Sequence, residues 1–368
     1  MELRNKNILL ISPEPWSHIF VSKHHYAIHL GQRGNKVFFL NPPQSGQEVV
    51  ETNFENVFSV TYDGFVSGLR FLPSVLQKKI IRKKFDSLQE CCRVRFDIIW
   101  SFDNSVFFDF SALPNHVLKV SHIVDLNQSF QIERAARTAD YCFCTTDFIK
   151  EKLLRFNPSV FKLSHGYNLQ TTTRALPLPG KSTIKTFYAG NLAIPYIDWA
   201  SIDKLVETNR GVDFVFAGSN KTVLPNDVIQ SNSKQSVLNS SNFFFIGPVE
   251  SNELNNYMVS SDILLVAYQA DQYFEQVANP HKMMEYLGSG KMIVSTFTAE
   301  YEQLAKDKLL VMSKSNNEFS LLFDEVLKNL EWWNSKDKQQ LRSAVALENT
   351  YLKLIEKFEK WIDTNQIQ

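Results

Sequence analysis

Short apolar runs of strand length alternate with amphipathic segments along most of this chain. In the first half, Asn7–Ser12, Lys36–Leu40, Asp97–Ser101, Val117–Val124 and Asp140–Thr146 read as buried strands, with Asn56–Thr61 a weaker one. Ser22–Gln32, Gln131–Thr138 and Asp147–Arg155 read as helices, the last capped by Asp147. Pro13–Phe20 is a loop, and Phe161–Ser164 leads into His165-Gly-Tyr-Asn168. Thr171–Ser182 has no apolar period and carries two prolines, which makes it the linker candidate. The alternation then resumes. Thr183–Tyr188, Val212–Phe216, Asn242–Ile246, Asp262–Ala267, Met292–Thr296 and Leu309–Met312 read as strands. Ile197–Glu207, Ser251–Ser260 (with Ser251 as N-cap), Asn317–Leu330 and Lys336–Asp363 read as helices. Strand–helix alternation builds parallel sheets covered on both faces. The pattern predicts an α/β protein of two Rossmann-like, doubly wound domains facing across a cleft. Residues 1–175 form the N-terminal domain, 176–345 the C-terminal one, and 346–368 a helix packing back on the first.

Composition narrows the class. The chain has 368 residues, 44% hydrophobic and 21% charged, which is globular with ample core. Lys+Arg and Asp+Glu both number 39, so no basic excess points to nucleic acid. No run approaches the length of a membrane-spanning helix, and the opening residues begin a strand rather than a signal peptide. Cys91-Cys92 and Cys142-x-Cys144 lack the usual zinc spacing, so reduced buried thiols in a cytoplasmic protein are expected. No metal site and no bound cofactor are predicted: Gly-x-Gly-x-x-Gly is missing after the first strand. Between residues 68 and 85, Lys78, Lys79, Arg82, Lys83 and Lys84 surround Leu76, Ile80, Ile81 and Phe85. A basic amphipathic helix can lie on an anionic membrane, so peripheral contact with the inner membrane face is one expectation, and an ordinary packed surface helix the other.

The chemistry concentrates in Asn279-Pro-His-Lys-Met-Met-Glu-Tyr-Leu-Gly-Ser-Gly-Lys291. Asn279 is the expected N-cap, Pro280 suits a first helical turn, and Gly288 and Gly290 close the helix. Lys282 and Glu285 are three apart and share a face. A helix N-terminus with a lysine in its first turn suits a diphosphate, and a carboxylate one turn on suits two sugar hydroxyls. A solvated Lys–Glu pair on a surface helix is the bland alternative.

With Phe245-Ile-Gly-Pro-Val249 and Leu254-x-x-Tyr-Met-x-x-Ser-Asp-Ile-Leu-Leu265 upstream, residues 245–287 resemble in order and spacing the donor-binding segment of GT-B glycosyltransferases. The first half resembles them in outline only, through residues 136–168. The resemblance implies a nucleotide-sugar donor, used as substrate, with Lys282 near its diphosphate and Glu285 near its ribose. It implies that Gly190 and Asn191 lie beside the phosphates, that Gly247, Pro248 and Val249 meet the base, and that Asn279 stands at the same site. Ser219 and Tyr268 head the loops Ser219–Leu224 and Tyr268–Ala278, where the sugar is expected. The sequence departs from retaining members, which carry two glutamates eight positions apart: Val277 stands eight before Glu285. It is closer to bacterial polysaccharide glycosyltransferases whose N-terminal domain supplies a carboxylate base. Asp125 at a strand end is the expected base and His24 the second catalytic candidate, with His18, His25 and Asp103 as rivals. The expected activity is metal-independent sugar transfer to a saccharide or lipid-linked saccharide acceptor in surface polysaccharide synthesis. A nucleotide-sugar epimerase of the same fold, or a non-catalytic nucleotide-sugar-binding or scaffold subunit, are the alternatives.

Overall fold

The computed structural model describes residues 2–125, 131–169, 174–219, 228–250 and 253–365. The expected Ser251 cap, the first residues of the linker and most of the Ser219–Leu224 loop lie outside these. The chain divides into two compact units: Met1–Ser164 joined by Tyr351–Gln368, and His165–Thr350.

The first unit runs β1 (Asn7–Ile11), α1 (Ser22–Gln32), β2 (Lys36–Leu40), β3 (Glu48–Glu51), β4 (Val57–Thr61), α2 (Ser74–Cys92), β5 (Ile98–Ser101), β6 (Leu118–Ile123), α3 (Ile132–Thr138), β7 (Tyr141–Cys144), α4 (Asp147–Leu154) and β8 (Val160–Lys162). Its sheet has the order β3-β4-β2-β1-β5-β6-β7-β8 and is parallel except for the β3–β4 hairpin at one edge. Burial on both faces explains the continuous apolar strands. Leu9 and Ile11 of β1 enter one core with Ile81, Phe85 and Leu88 of α2; Ile8 and Leu10 enter the opposite core with Tyr26, Ala27 and Leu30 of α1. All four cysteines are free, and Cys92, Cys142 and Cys144 are buried, with thiols pushed up to about 12 by burial.

The second unit runs β9 (Ile184–Ala189), α5 (Trp199–Thr208), β10 (Val212–Ala217), α6 (Val228–Leu238), β11 (Phe243–Gly247), α7 (Leu254–Met258), β12 (Ile263–Val266), α8 (Lys282–Ser289), β13 (Met292–Ser295), α9 (Glu302–Lys306), β14 (Val311–Met312), α10 (Phe319–Lys328), α11 (Leu330–Trp333) and α12 (Lys336–Leu347). Its six strands are all parallel in the order β11-β10-β9-β12-β13-β14.

Sequence and structure differ at the seams. The expected helix over Lys336–Asp363 is two helices, α12 and α13 (Tyr351–Asn365). Between them Thr350 bridges Tyr167, and the Tyr167 N–H donates to the Asn349 carbonyl at 2.8 Å. Tyr167 is a core residue of the second unit, and a Cβ at Gly288 would overlap its ring. The unit boundary therefore falls before His165, not at 175. The described part of the expected linker packs on the second unit: the Leu176 N–H donates to the Asn256 carbonyl, and the Ser182 N–H to Asp213. In the other direction, α13 completes the first unit. Tyr351, Leu354, Ile355, Phe358 and Ile362 fill the core beneath α1. Glu359 accepts two hydrogen bonds from Arg33 at 2.7 and 2.8 Å.

Two caps also move. Thr146, not Asp147, caps α4 through its hydroxyl and the Ile149 N–H, while Asp147 pairs with Lys162. The helix α8 starts at Lys282 with His281 as N-cap, so Asn279 is not the cap; its side-chain oxygen accepts from the Tyr301 hydroxyl at 2.7 Å.

Candidate functional sites at the strand ends

In open parallel sheets, ligands bind outside the carboxyl ends of strands where the strand order reverses. In the second unit that point lies between β9 and β12. Three neighbouring strands end there in glycines with positive φ: Gly190 (153°), Gly218 (146°) and Gly247 (79°). Their backbones are stitched together. The Gly190 N–H donates to the Ala217 carbonyl at 3.0 Å, and the Gly218 N–H to the Gly247 carbonyl at 2.8 Å. A Cβ at Gly218 would overlap the Gly190 carbonyl, so close approach as well as backbone angle requires glycine.

Lys282 fills the space that Gly190 leaves. A Cβ on Gly190 would lie 2.7 Å from the Lys282 Nζ. That ammonium is buried and lacks a hydrogen-bond partner among the described residues. It lies 3.5 Å from the centre of the Tyr188 ring and 5.2 Å from that of Tyr268. Aromatic faces attract a cation but replace little of its lost hydration. Burial accordingly holds the lysine well below its ordinary pKa. Tyr268 follows β12, and its N–H donates to the Thr296 hydroxyl at 2.9 Å. The Tyr286 hydroxyl accepts from the Ala189 N–H at 2.9 Å, tying α8 to the end of β9.

One turn along α8, Glu285 accepts from the Asn168 N–H at 3.3 Å. Burial raises its carboxyl to about 7, against the lowering effect of that hydrogen bond. The two residues are therefore not a solvated pair. No Lys282–Glu285 bridge forms: the Lys282 ammonium is buried, and Glu285 is half-buried on the Asn168 N–H. His165 joins the same end of α8, its Nε2 being 3.2 Å from the Asn279 carbonyl and its ring 4.8 Å from that of His281. Ser219 accepts through its carbonyl from the Leu192 N–H, Asn191 is exposed and accepts from the Ala193 N–H, Pro248 is exposed, and Val249 is half-buried against the core. The structure thus gathers Gly190, Tyr268 and Lys282 at one point, with Ser219 and Gly247 beside it. Tyr188 was missed by sequence reasoning; a tyrosine ending a buried strand carries no separate signal.

In the first unit the order reverses between β1 and β5. A small recess there is lined by Glu14, Lys23, Asn104 and Asp125. Lys23 is buried and pairs with Glu14, and the Asn104 side-chain oxygen is buried without a hydrogen bond among the described residues. Asp125 lies two residues beyond β6 and is exposed. His24 is the clearest correction. It is fully buried, stacked on Phe20 and Phe39. Its Nδ1 accepts from the Val21 N–H and its Nε2 faces the Pro15 carbonyl. Burial lowers it to about 4, so it is a neutral core residue that no substrate can reach. His25 is buried against Tyr351, and Asp103 is buried, accepting from the Ser105 N–H. Among the described residues no group of His, Cys, Asp or Glu side chains could hold a metal ion.

Two doubly wound parallel-sheet units define the GT-B architecture, and comparison with solved structures agrees. Sucrose-phosphate synthase from Thermosynechococcus elongatus matches with a TM-score of 0.68 at 10% identity, covering 98% of this chain and 99% of that one. Anabaena HepE in complex with UDP and glucose matches with 0.65 at 11% identity over 97% and 99%. An Escherichia coli trehalose-6-phosphate structure bound with UDP-2-fluoro glucose matches with 0.62 at 12% identity over 96% and 98%. At these identities the likeness is one of fold. In sequence, the chain is 27% identical over 173 residues to the Bacillus subtilis protein named "Putative teichuronic acid biosynthesis glycosyltransferase TuaH". The match spans 44% of this chain and 42% of that relative. No protein-family model matches the chain.

Proposed function

We propose that this chain is a glycosyltransferase that takes a nucleoside-diphosphate sugar as donor. The observation that carries this reading is the unpartnered buried ammonium of Lys282 against Gly190 at the strand-order reversal. A buried cation without a counter-ion is costly, and a diphosphate supplies the missing charge. In this reading Lys282 stabilises charge on the departing nucleoside diphosphate, which is where transition-state stabilisation is needed. Glu285 takes hydroxyls of the donor, and Gly190, Ser219, Gly247, Val249 and Tyr268 form its walls. The UDP bound in Anabaena HepE and the UDP-2-fluoro glucose bound in the Escherichia coli structure favour a uridine donor. The acceptor is a saccharide or lipid-linked saccharide of surface polysaccharide synthesis, in line with the name of the Bacillus relative. Asp125 is the proposed base that deprotonates the attacking hydroxyl, with the Glu14–Lys23 pair beside it.

A thermal-shift screen against UDP, GDP, CDP, dTDP and ADP tests the donor site, since a ligand that binds only the folded state raises the melting temperature. Stabilisation by one nucleotide, lost in Lys282→Ala, is expected. No stabilisation by any of them would overturn the reading. Asp125→Asn should keep nucleotide binding and lose transfer; retained transfer would remove Asp125 as base and leave the donor site standing.

A further inference from the structure

The basic segment meets solvent differently from the way its sequence suggests. The apolar stripe of α2 is spent on the core: Ile81 and Phe85 are fully buried and Ile80 packs against them. Beyond its first turn that helix has no apolar face left for a membrane. The turn before it does. Phe71 is 78% exposed, Val75 66% and Leu76 47%, clustered on the short 3-10 turn Leu69–Phe71 and the first turn of α2. Val66, 57% exposed, precedes them.

These side chains are framed by cations. The Arg70 guanidinium lies 4.6 Å over the Phe71 ring. Lys78, Lys79 and Lys83 are exposed on the next turns of α2 and have no acidic partner among the described residues, whereas Arg82 is paired with Asp86. The patch therefore combines a projecting apolar tip with a collar of like charge. A second protein copy would have to bring its own acidic groups to such a collar. An anionic bilayer offers a continuous negative surface and an apolar layer beneath it.

We propose that this turn and the start of α2 form a peripheral membrane-docking surface: Phe71, Val75 and Leu76 enter the headgroup–acyl boundary while Lys78, Lys79 and Lys83 engage anionic lipid headgroups. This is independent of the donor-site reading, because it uses other residues and needs no nucleotide. The helix lies along the surface and does not cross it; among the described residues no helix is long and apolar enough to span a membrane.

The test is co-sedimentation of the full chain with vesicles of phosphatidylcholine alone and of phosphatidylcholine with phosphatidylglycerol. Binding to the anionic vesicles is expected, falling steeply with salt, with little binding to the zwitterionic ones. Each basic side chain near an anionic surface contributes roughly fivefold in affinity, so Lys78→Glu with Lys79→Glu should weaken binding by well over tenfold. Phe71→Ser with Val75→Ser should weaken binding at unchanged charge, and to a similar extent at high salt. All four side chains are exposed, and an unchanged thermal melt confirms that the variants fold. Absence of vesicle binding, or binding equal in all variants, would overturn the proposal. So would a concentration-dependent dimer that Phe71→Ser dissociates, since the patch would then be covered by a second copy.

Discussion

The Lys282 ammonium sits 3.5 Å from the centre of the Tyr188 ring, in the space a side chain at residue 190 would occupy, and has no hydrogen-bond acceptor among the described residues. Burial disfavours its charged form, and a bound anion would favour it. Binding a diphosphate should therefore raise its pKa and be linked to proton uptake. Calorimetry of nucleotide binding in buffers of different ionisation enthalpy should show this uptake in the native chain and none in Lys282→Met. Affinity should fall by about 1.5–3 kcal/mol, roughly 10- to 100-fold, with the charge removed. Without nucleotide, Lys282→Met should melt at a higher temperature, because an unsatisfied buried group has been replaced by an apolar one. The sign with pH follows: the folded pKa lies below the unfolded value, so this lysine's penalty fades as pH rises towards 10.5.

Glu285 carries the opposite sign. Its folded pKa is raised from 4.5 to about 7, so its contribution is fully present below 4.5 and is lost as pH rises through about 7. Glu285→Gln should abolish that part of the pH dependence and stabilise the nucleotide-free protein above pH 7, by up to about 3 kcal/mol if the full shift holds. Urea denaturation at several pH values with and without the substitution measures it. Equal slopes would place the carboxylate in water.

Gly218→Ala should cost more than the roughly 1 kcal/mol typical of alanine at a positive φ, because its Cβ would press on the Gly190 carbonyl. Nucleotide affinity should fall with it, while Gly211→Ala, where a Cβ meets nothing within 4 Å, should leave affinity unchanged. Thermal melts with and without nucleotide separate the two effects.

If Lys282 supplies charge to the leaving diphosphate as proposed, transfer should survive chelation of divalent cations by EDTA. Loss of activity restored by magnesium would assign that charge to a metal instead.

His24→Ala should destabilise the first unit by about 2–4 kcal/mol through a core cavity, with the remaining folded protein keeping its transfer rate. The native histidine, lowered to about 4, contributes stability that is present above its ordinary 6.5 and lost as pH falls through 4. Acid denaturation should therefore shift to lower pH when His24 is replaced by a non-titrating side chain.

Most strands and helices were legible because parallel sheets buried on both faces write themselves as continuous apolar runs; α1 and β2 match residue for residue. What failed depended on contacts remote in sequence. The run from Lys336 to Asp363 has no helix breaker of its own, and its break at Thr350 is made by Tyr167, far back in the chain. Asn279 has the chemistry of a cap, yet Tyr301 takes its oxygen. The short edge strand β3 and the helix α6 were not anticipated, since Glu48–Glu51 is too polar and Val228–Leu238 too weakly amphipathic to stand out. At the candidate site, Lys282 and Glu285 were visible from spacing, but that no ion pair joins them was not. It follows from Gly190 making room and Asn168 arriving from a distant segment.

The return of α13 to the first unit has a consequence for synthesis. The chain emerges from the ribosome in order, at about 5–20 residues per second. The second unit is one uninterrupted stretch, His165–Thr350, and can close as soon as it is made. The first unit begins earlier but must wait for Tyr351, Leu354, Ile355, Phe358 and Ile362 to cover its core. For roughly ten to forty seconds at that pace, the half made first is the half left unfinished.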